Sequence, residues 1–150
     1  LESCELFRGL TEGVVLVKSN TAMNQTGLVV NHLQSAYQVQ PNDFLVIRDD
    51  VNLELGHIRL RRVSGNSYTA IHKGLLSVSD ALRTFQFPSL RIGIGAPTMP
   101  MEQYVLSPFE PAELSIINDA VSRTAIATED YLAHGIEHAM DKFNGVYTKP

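Results

Sequence analysis

The sequence predicts an α/β fold, a largely parallel sheet with helices on its faces, and three observations carry that expectation. Short runs rich in Val, Ile, Leu and Phe recur at Gly13–Lys18, Phe44–Ile47 and Leu90–Gly95, each bounded by turn-forming residues. Between and after them lie segments whose apolar residues recur at helical spacing. Strands that alternate with helices build parallel sheets covered by those helices. The third observation is that one run, Phe44-Leu45-Val46-Ile47, ends on Arg48-Asp49-Asp50. Such a run reads as a strand buried on both faces. Carboxylates at the C-terminal end of such a strand stand where open α/β sheets place their ligand crevice.

The elements follow in order. Gly13-Val14-Val15-Leu16-Val17-Lys18 is the first strand, closed by Ser19-Asn20. After Thr21–Gly27 comes a helix with Leu28, Val29, His32, Leu33 and Ala36 in its apolar pattern. Pro41-Asn42-Asp43 turns the chain into the Phe44–Ile47 strand. His57 to Val63 alternates apolar and polar residues, the pattern of a half-buried strand. Ser64–Ser67 is a loop, Leu75–Leu82 a helix, and Leu90–Gly95 a strand entering a Gly-Pro turn. Pro111 suits the first position of a long helix, with Leu114, Ile117, Val121 and Ala125 on one face. Gly135 breaks that helix before a short final one ending near Gly145.

At 150 residues the chain is read as a single domain, with 44% hydrophobic and 19% charged residues, the proportions of a folded protein. No run approaches the roughly 20 apolar residues of a membrane helix, so no membrane partner is expected. Leu1-Glu2-Ser3-Cys4-Glu5 lacks the basic and apolar parts of a secretory signal. The single cysteine, Cys4, excludes an internal disulfide and fits a soluble protein of a reducing compartment. A net charge of −4 argues against a general nucleic-acid coat protein. Arg59, Arg61 and Arg62, with Lys73 soon after, still form a local basic edge able to grip a few phosphates.

Several residues are candidates for chemistry. Asp49 and Asp50 are turn formers or reactive carboxylates. Asn24, after Met23 at a strand-to-helix turn, either caps the helix or holds a substrate or water through its carboxamide. His72 is a packed histidine or a polar contact at a helix entrance. His134-Gly135-Ile136-Glu137-His138 matches H-x-x-E-H, an inverted zinc-protease pattern. Two ligands four residues apart need a firm helix, and Gly135 weakens it, so no metal site is expected.

Five segments in sequence order join these residues into a resemblance. Thr21-Ala22-Met23-Asn24-Gln25-Thr26-Gly27, Arg48 to Gly56, Leu90-Arg91-Ile92-Gly93-Ile94-Gly95, Tyr104 to Phe109, and Gly135 to Gly145 are similar to motifs of the bacterial-type peptidyl-tRNA hydrolases. The resemblance runs from about Val14 to Gly145. It implies a three-layer α/β fold, a mixed, largely parallel central sheet with helices on both faces. It also implies hydrolysis of the ester between peptide and tRNA, without cofactor or metal. In that family a histidine activates water, an aspartate orients the histidine, and asparagines hold substrate and water. The resemblance puts the orienting role on Asp49. It puts substrate binding on Met23, Asn24, His72 and Lys73, and tRNA or other RNA is the implied partner.

Two departures bear on function. The family's opening Gly-x-Gly-Asn-Pro-Gly strand and loop and its Thr-Arg-His-Asn are expected to be missing, and the catalytic histidine with them. The family's Gly-His-Asn-Gly reads Ile71-His72-Lys73-Gly74, exchanging an amide for a cation. Two functions follow. One is a divergent peptidyl-tRNA hydrolase. The other is a family member without catalysis, serving as an RNA-binding or structural subunit of an organellar ribonucleoprotein, ribosome or splicing complex; on that view a mitochondrial or plastid location is favoured over a bacterial cytoplasm.

Overall fold

The computed structural model describes residues 4–8, 13–62 and 72–145. The loop expected at Ser64–Ser67, and Ile71, lie outside them. The chain forms two compact units, each assembled from two stretches of sequence: Leu1–Phe44 with Ser64–Phe87, and Leu45–Val63 with Pro88–Pro150.

In the first unit, β1 (Cys4–Arg8) pairs antiparallel with β2 (Val15–Ser19), with Cys4 opposite Ser19 and Arg8 opposite Val15. A 3-10 turn, Met23–Gln25, leads into α1 (Thr26–Tyr37), and α2 (Lys73–Leu82) packs on α1. The two helices approach closely at Gly27. Its amide donates to Ser77 Oγ at 2.9 Å, and a Cβ at Gly27 would run into the Ser77 carbonyl. That contact sets which side of α1 turns inward. Val29, Val30 and Leu33 are buried, whereas Leu28, expected in the apolar face, is 60% exposed and His32 is exposed too. Cys4, Val29 and Leu33 form a small core with Leu6, Tyr37 and Phe44.

In the second unit, β3 (Val46–Asp50), β4 (Ile58–Arg62) and β5 (Pro88–Gly93) form a sheet in the order β3-β5-β4. β3 runs parallel to β5, and β4 runs antiparallel to it. The sheet is mixed, as expected: among the described residues one of its pairs is parallel and one antiparallel. Residues 51–57, which join β3 to β4, are too few for the crossover that would set β4 parallel to β3, so β4 returns antiparallel on the far side of β5. The expectation of a strand buried on both faces is corrected. β3 starts at Val46, takes in both aspartates and is an edge strand among the described residues, and Ile47 is 46% exposed. It is β5, the middle strand, whose residues 88–91 are all buried.

Three helices complete this unit: α3 (Met101–Tyr104), α4 (Pro111–His134) and α5 (Ile136–Phe143). Pro111 opens α4 inside a capping box made by Glu110 and Glu113, as its sequence position suggested. The alternation read in β4 holds: Ile58 and Leu60 point into a core with Leu90, Ala120, Ala127, Ile136 and Ala139. The inward face of α4 is not the one expected. Ala120, Thr124 and Ala127 are buried while Leu114 and Val121 are exposed, because small side chains let α4 lie close to its neighbours. After α5, the Asn144 carboxamide accepts the Leu60 N–H at 2.7 Å and donates to the Leu60 carbonyl at 2.9 Å. It completes the free edge of β4 as a neighbouring strand would.

Candidate functional site

In the first unit a groove opens beside α1 and α2. Asn24, Gln25, Gly27 and Asn31 line one side, and Lys73, Ser77, Asp80 and Arg83 line the other. Its volume of about 720 Å³ lies within the roughly 300–1,000 Å³ of small-ligand clefts. Asn24 does not cap α1. The N-cap is Gln25, with no side-chain hydrogen bond, and Thr26 Oγ1 donates to the Met23 carbonyl at 2.9 Å. The Asn24 carboxamide thus stands at the groove.

Met23 lies against Gly74, where a Cβ would collide with its sulfur. His72 is the N-cap of α2, and its Nδ1 accepts the Leu75 N–H at 3.0 Å. One imidazole nitrogen is therefore committed to starting the helix. Lys73 follows as the first helical residue, exposed at the groove wall. A helix N-terminus already carries roughly half a positive charge, so Lys73 and the α2 amides together favour an anion. Asn31 and Arg83 had no signal in the sequence. Asn31 lies one turn beyond Gly27 on α1, and Arg83 reaches its place through a left-handed C-cap at φ 55°.

In the second unit the two aspartates part company. Asp50 is 3% exposed, and its Oδ2 accepts from Arg91 Nη1 at 2.7 Å and from Arg48 Nη2 at 3.4 Å. Its Oδ1 accepts the Asn52 N–H at 2.9 Å, which fixes the turn that follows. Asp50 is therefore the turn former and the counter-ion of two buried guanidinium groups. Burial holds Arg48 below its usual value, opposed by Asp50 and reinforced by Arg91. Asp49 lies opposite Ile92 of β5, on the other face of the strand, and is half-buried. Asp49 also acts on Arg48, raising its pKa more weakly than Asp50 does.

The arginines of β4 also divide. Arg59 stands in register with Arg91, which is in register with Arg48, so three arginines form a row across one face of the sheet. Arg59 and Arg61 alternate to that same side and are exposed. Arg62 alternates to the other and comes within 4.0 Å of Glu137 on α5. The expected three-residue basic edge is thus a pair plus one arginine elsewhere. That contact also turns Glu137 of the H-x-x-E-H segment toward Arg62.

A sequence profile described as Peptidyl-tRNA hydrolase matches residues 3–150. The peptidyl-tRNA hydrolase of Thermoanaerobacter sp. (strain X514) is 38% identical over 139 residues, which cover 93% of this chain and 73% of that protein. That of Chloroflexus aggregans (strain MD-66 / DSM 9485) is 39% identical over 145 residues, 93% of this chain and 76% of its own length. Among solved structures, a peptidyl-tRNA hydrolase in complex with N-propanol superposes with a TM-score of 0.86 at 26% identity, covering 98% of this chain and 75% of that one. The Acinetobacter baumannii peptidyl-tRNA hydrolase gives 0.84 at 27% identity, over 95% and 73%. These relatives are bacterial, and neither an organellar location nor a ribonucleoprotein subunit draws support from them. Among the described residues no helix is long and apolar enough to cross a membrane.

Proposed function

The chain belongs to the peptidyl-tRNA hydrolase family, a family of ester hydrolases, and we propose that its own residues serve that reaction in three roles. Asp49 orients the family's general-base imidazole, a histidine that the resemblance assigns to no residue of this sequence, fixing its tautomer and stabilising its charged form as it takes a proton from the attacking water. Asn24 holds the substrate through a carboxamide that both donates and accepts. Lys73, with the α2 amides, takes a phosphate or the polarised ester carbonyl, while Met23, packed on Gly74, and His72, the N-cap of α2, support the start of that helix. Arg59 and Arg61 add phosphate contacts of the kind that give tRNA binding its salt dependence. The observation that carries this reading is the groove that gathers Asn24, Asn31 and Lys73 at a helix N-terminus.

The experiment is hydrolysis of peptidyl-tRNA by the whole protein. Asp49→Asn is expected to lower kcat by about 10²–10⁴, the usual worth of general acid–base catalysis. Lys73→Gln is expected to act on KM, by about tenfold or more, the worth of a hydrogen bond to a charged group. Unchanged kcat/KM after both Asp49→Asn and Asn24→Ala would overturn the assignment.

A further inference from the structure

We propose that Asp130, His134 and His138 form a binding site for one zinc ion, a site that no step of the hydrolysis above uses. Asp130 and His134 stand one turn apart on α4. Gly135 then takes φ 86°, ends α4 and starts α5, and this return brings His138 back over Asp130. His138 Nδ1 is 2.8 Å from Asp130 Oδ2, and His134 Nδ1 is 3.7 Å from Oδ1. The two imidazole centroids lie 4.6 Å apart, and the three candidate ligand atoms fall within 4.8 Å of one another.

A tetrahedral zinc with bonds of 2.0–2.1 Å needs its ligand atoms about 3.4 Å apart. The existing spacing therefore has to close by about 1.4 Å at its widest. The side chains that must move are free to do so: His134 is 56% and His138 51% exposed, whereas Asp130, at 7%, is the fixed anchor. Two imidazoles and a carboxylate suit zinc, while magnesium and calcium prefer sets of oxygens. Three protein ligands leave a fourth position for water.

The H-x-x-E-H segment thus supplies two ligands but not its glutamate. Glu137 faces Arg62, and the carboxylate comes from the preceding helix. Gly135 breaks the helix as its sequence position suggested, yet with φ 86° and ψ 174° it leaves both histidines within reach of Asp130.

Lys142 now competes for the site. Its Nζ is 2.6 Å from Asp130 Oδ1, and its hydrogen bond is the main reason that the Asp130 carboxyl sits below the usual carboxylate value. Zinc therefore has to displace this ammonium from the carboxylate. This rivalry separates a built site from chance binding by surface histidines.

The test is calorimetric titration of the tag-free whole protein, stripped with chelator, with Zn²⁺. One equivalent should bind. His138→Gln and His134→Gln should each weaken it by more than the 10–100-fold that loss of an outer-shell partner costs. Lys142→Met should tighten binding, His32→Gln should leave it unchanged, and Mg²⁺ should give no saturable heat. Co²⁺ in place of zinc should show the intense visible bands of a tetrahedral ion. Absence of a one-equivalent event, or binding unaffected by both histidine changes, would mean that the cluster is an ion-pair network only. A Lys142→Met protein that binds no tighter would also overturn the proposal. Both histidines are half exposed, so their variants should fold, and a melting curve for each verifies this.

Discussion

Replacing Asp50 should cost stability rather than chemistry, and replacing Asp49 the reverse. Asp50 is 3% exposed, bonded to Arg91 at 2.7 Å, to Arg48 at 3.4 Å, and to the Asn52 amide at 2.9 Å. Asp50→Ala leaves two guanidinium groups, with side chains 6% and 9% exposed, without their counter-ion. Removing one partner from a buried ion pair costs about 3–5 kcal/mol, because the remaining charge stays desolvated. At about 2–4 °C per kcal/mol for a chain of this size, Tm should fall by roughly 6–20 °C. Asp49→Asn is nearly isosteric at a half-buried position and should cost under about 1 kcal/mol, within the range of ordinary substitutions. The measurement is thermal unfolding followed by circular dichroism, with urea titration as a check on two-state behaviour. Asp50→Ala with Arg91→Ala should be less destabilised than the sum of the two single changes, since the double variant removes the stranded charge. An Asp50→Ala protein that melts within a degree or two of the parent would refute this reasoning. So would an Asp49→Asn protein that loses as much stability as Asp50→Ala.

Two further substitutions probe how each unit is held. Asn144→Ala should cost about 1–3 kcal/mol, because it strands the N–H and carbonyl of Leu60, a residue that water does not reach; a urea midpoint that does not move would show that Asn144 is not the edge partner described. Gly27→Ala should destabilise by about 1–3 kcal/mol despite alanine's better helix propensity, since the new methyl meets the Ser77 carbonyl. Adding Ser77→Ala should not rescue it, because the obstacle is backbone; full rescue would place the conflict on the side chain instead.

What the sequence revealed of the fold depended on whether the signal was local. The alternation of Ile58, Arg59, Leu60 and Arg61 identified a half-buried strand, because strand side chains point to opposite faces in turn. Pro111 and Gly135 bounded α4 correctly, since each acts on its own backbone. β1 carried no such mark: Cys4–Arg8 is a strand through its pairing with β2, a partner beyond the window that pattern reading covers. The face of α4 was misjudged for a related reason. Large residues drew the expected stripe through Leu114 and Val121, but close packing selected Ala120, Thr124 and Ala127. Near the site, Asn24 and Lys73 were found by motif, while Asn31 and Arg83 enter the groove only through the packing of α1 against α2.

The same limit, spacing known but direction unknown, accounts for both acid and histidine pairs. Asp49 and Asp50 are neighbours in sequence and looked like one feature. Strand geometry sends them to opposite faces, one toward Arg48 and Arg91 and the other toward the Ile92 side of the sheet. Adjacency on a strand therefore argues against a shared role, and a structural reading of one acid leaves the chemical reading of the other intact. His134 and His138 present the converse case. A glycine between them removes the helical register that would have aligned them, and on that ground alone they should diverge. A positive φ at Gly135 bends the chain between α4 and α5 instead, and His134 and His138 both reach Asp130. The glycine that weakens a single-helix metal motif is the residue that makes a two-helix cluster possible. What the spacing excluded was one geometry for those two histidines, not the pairing itself.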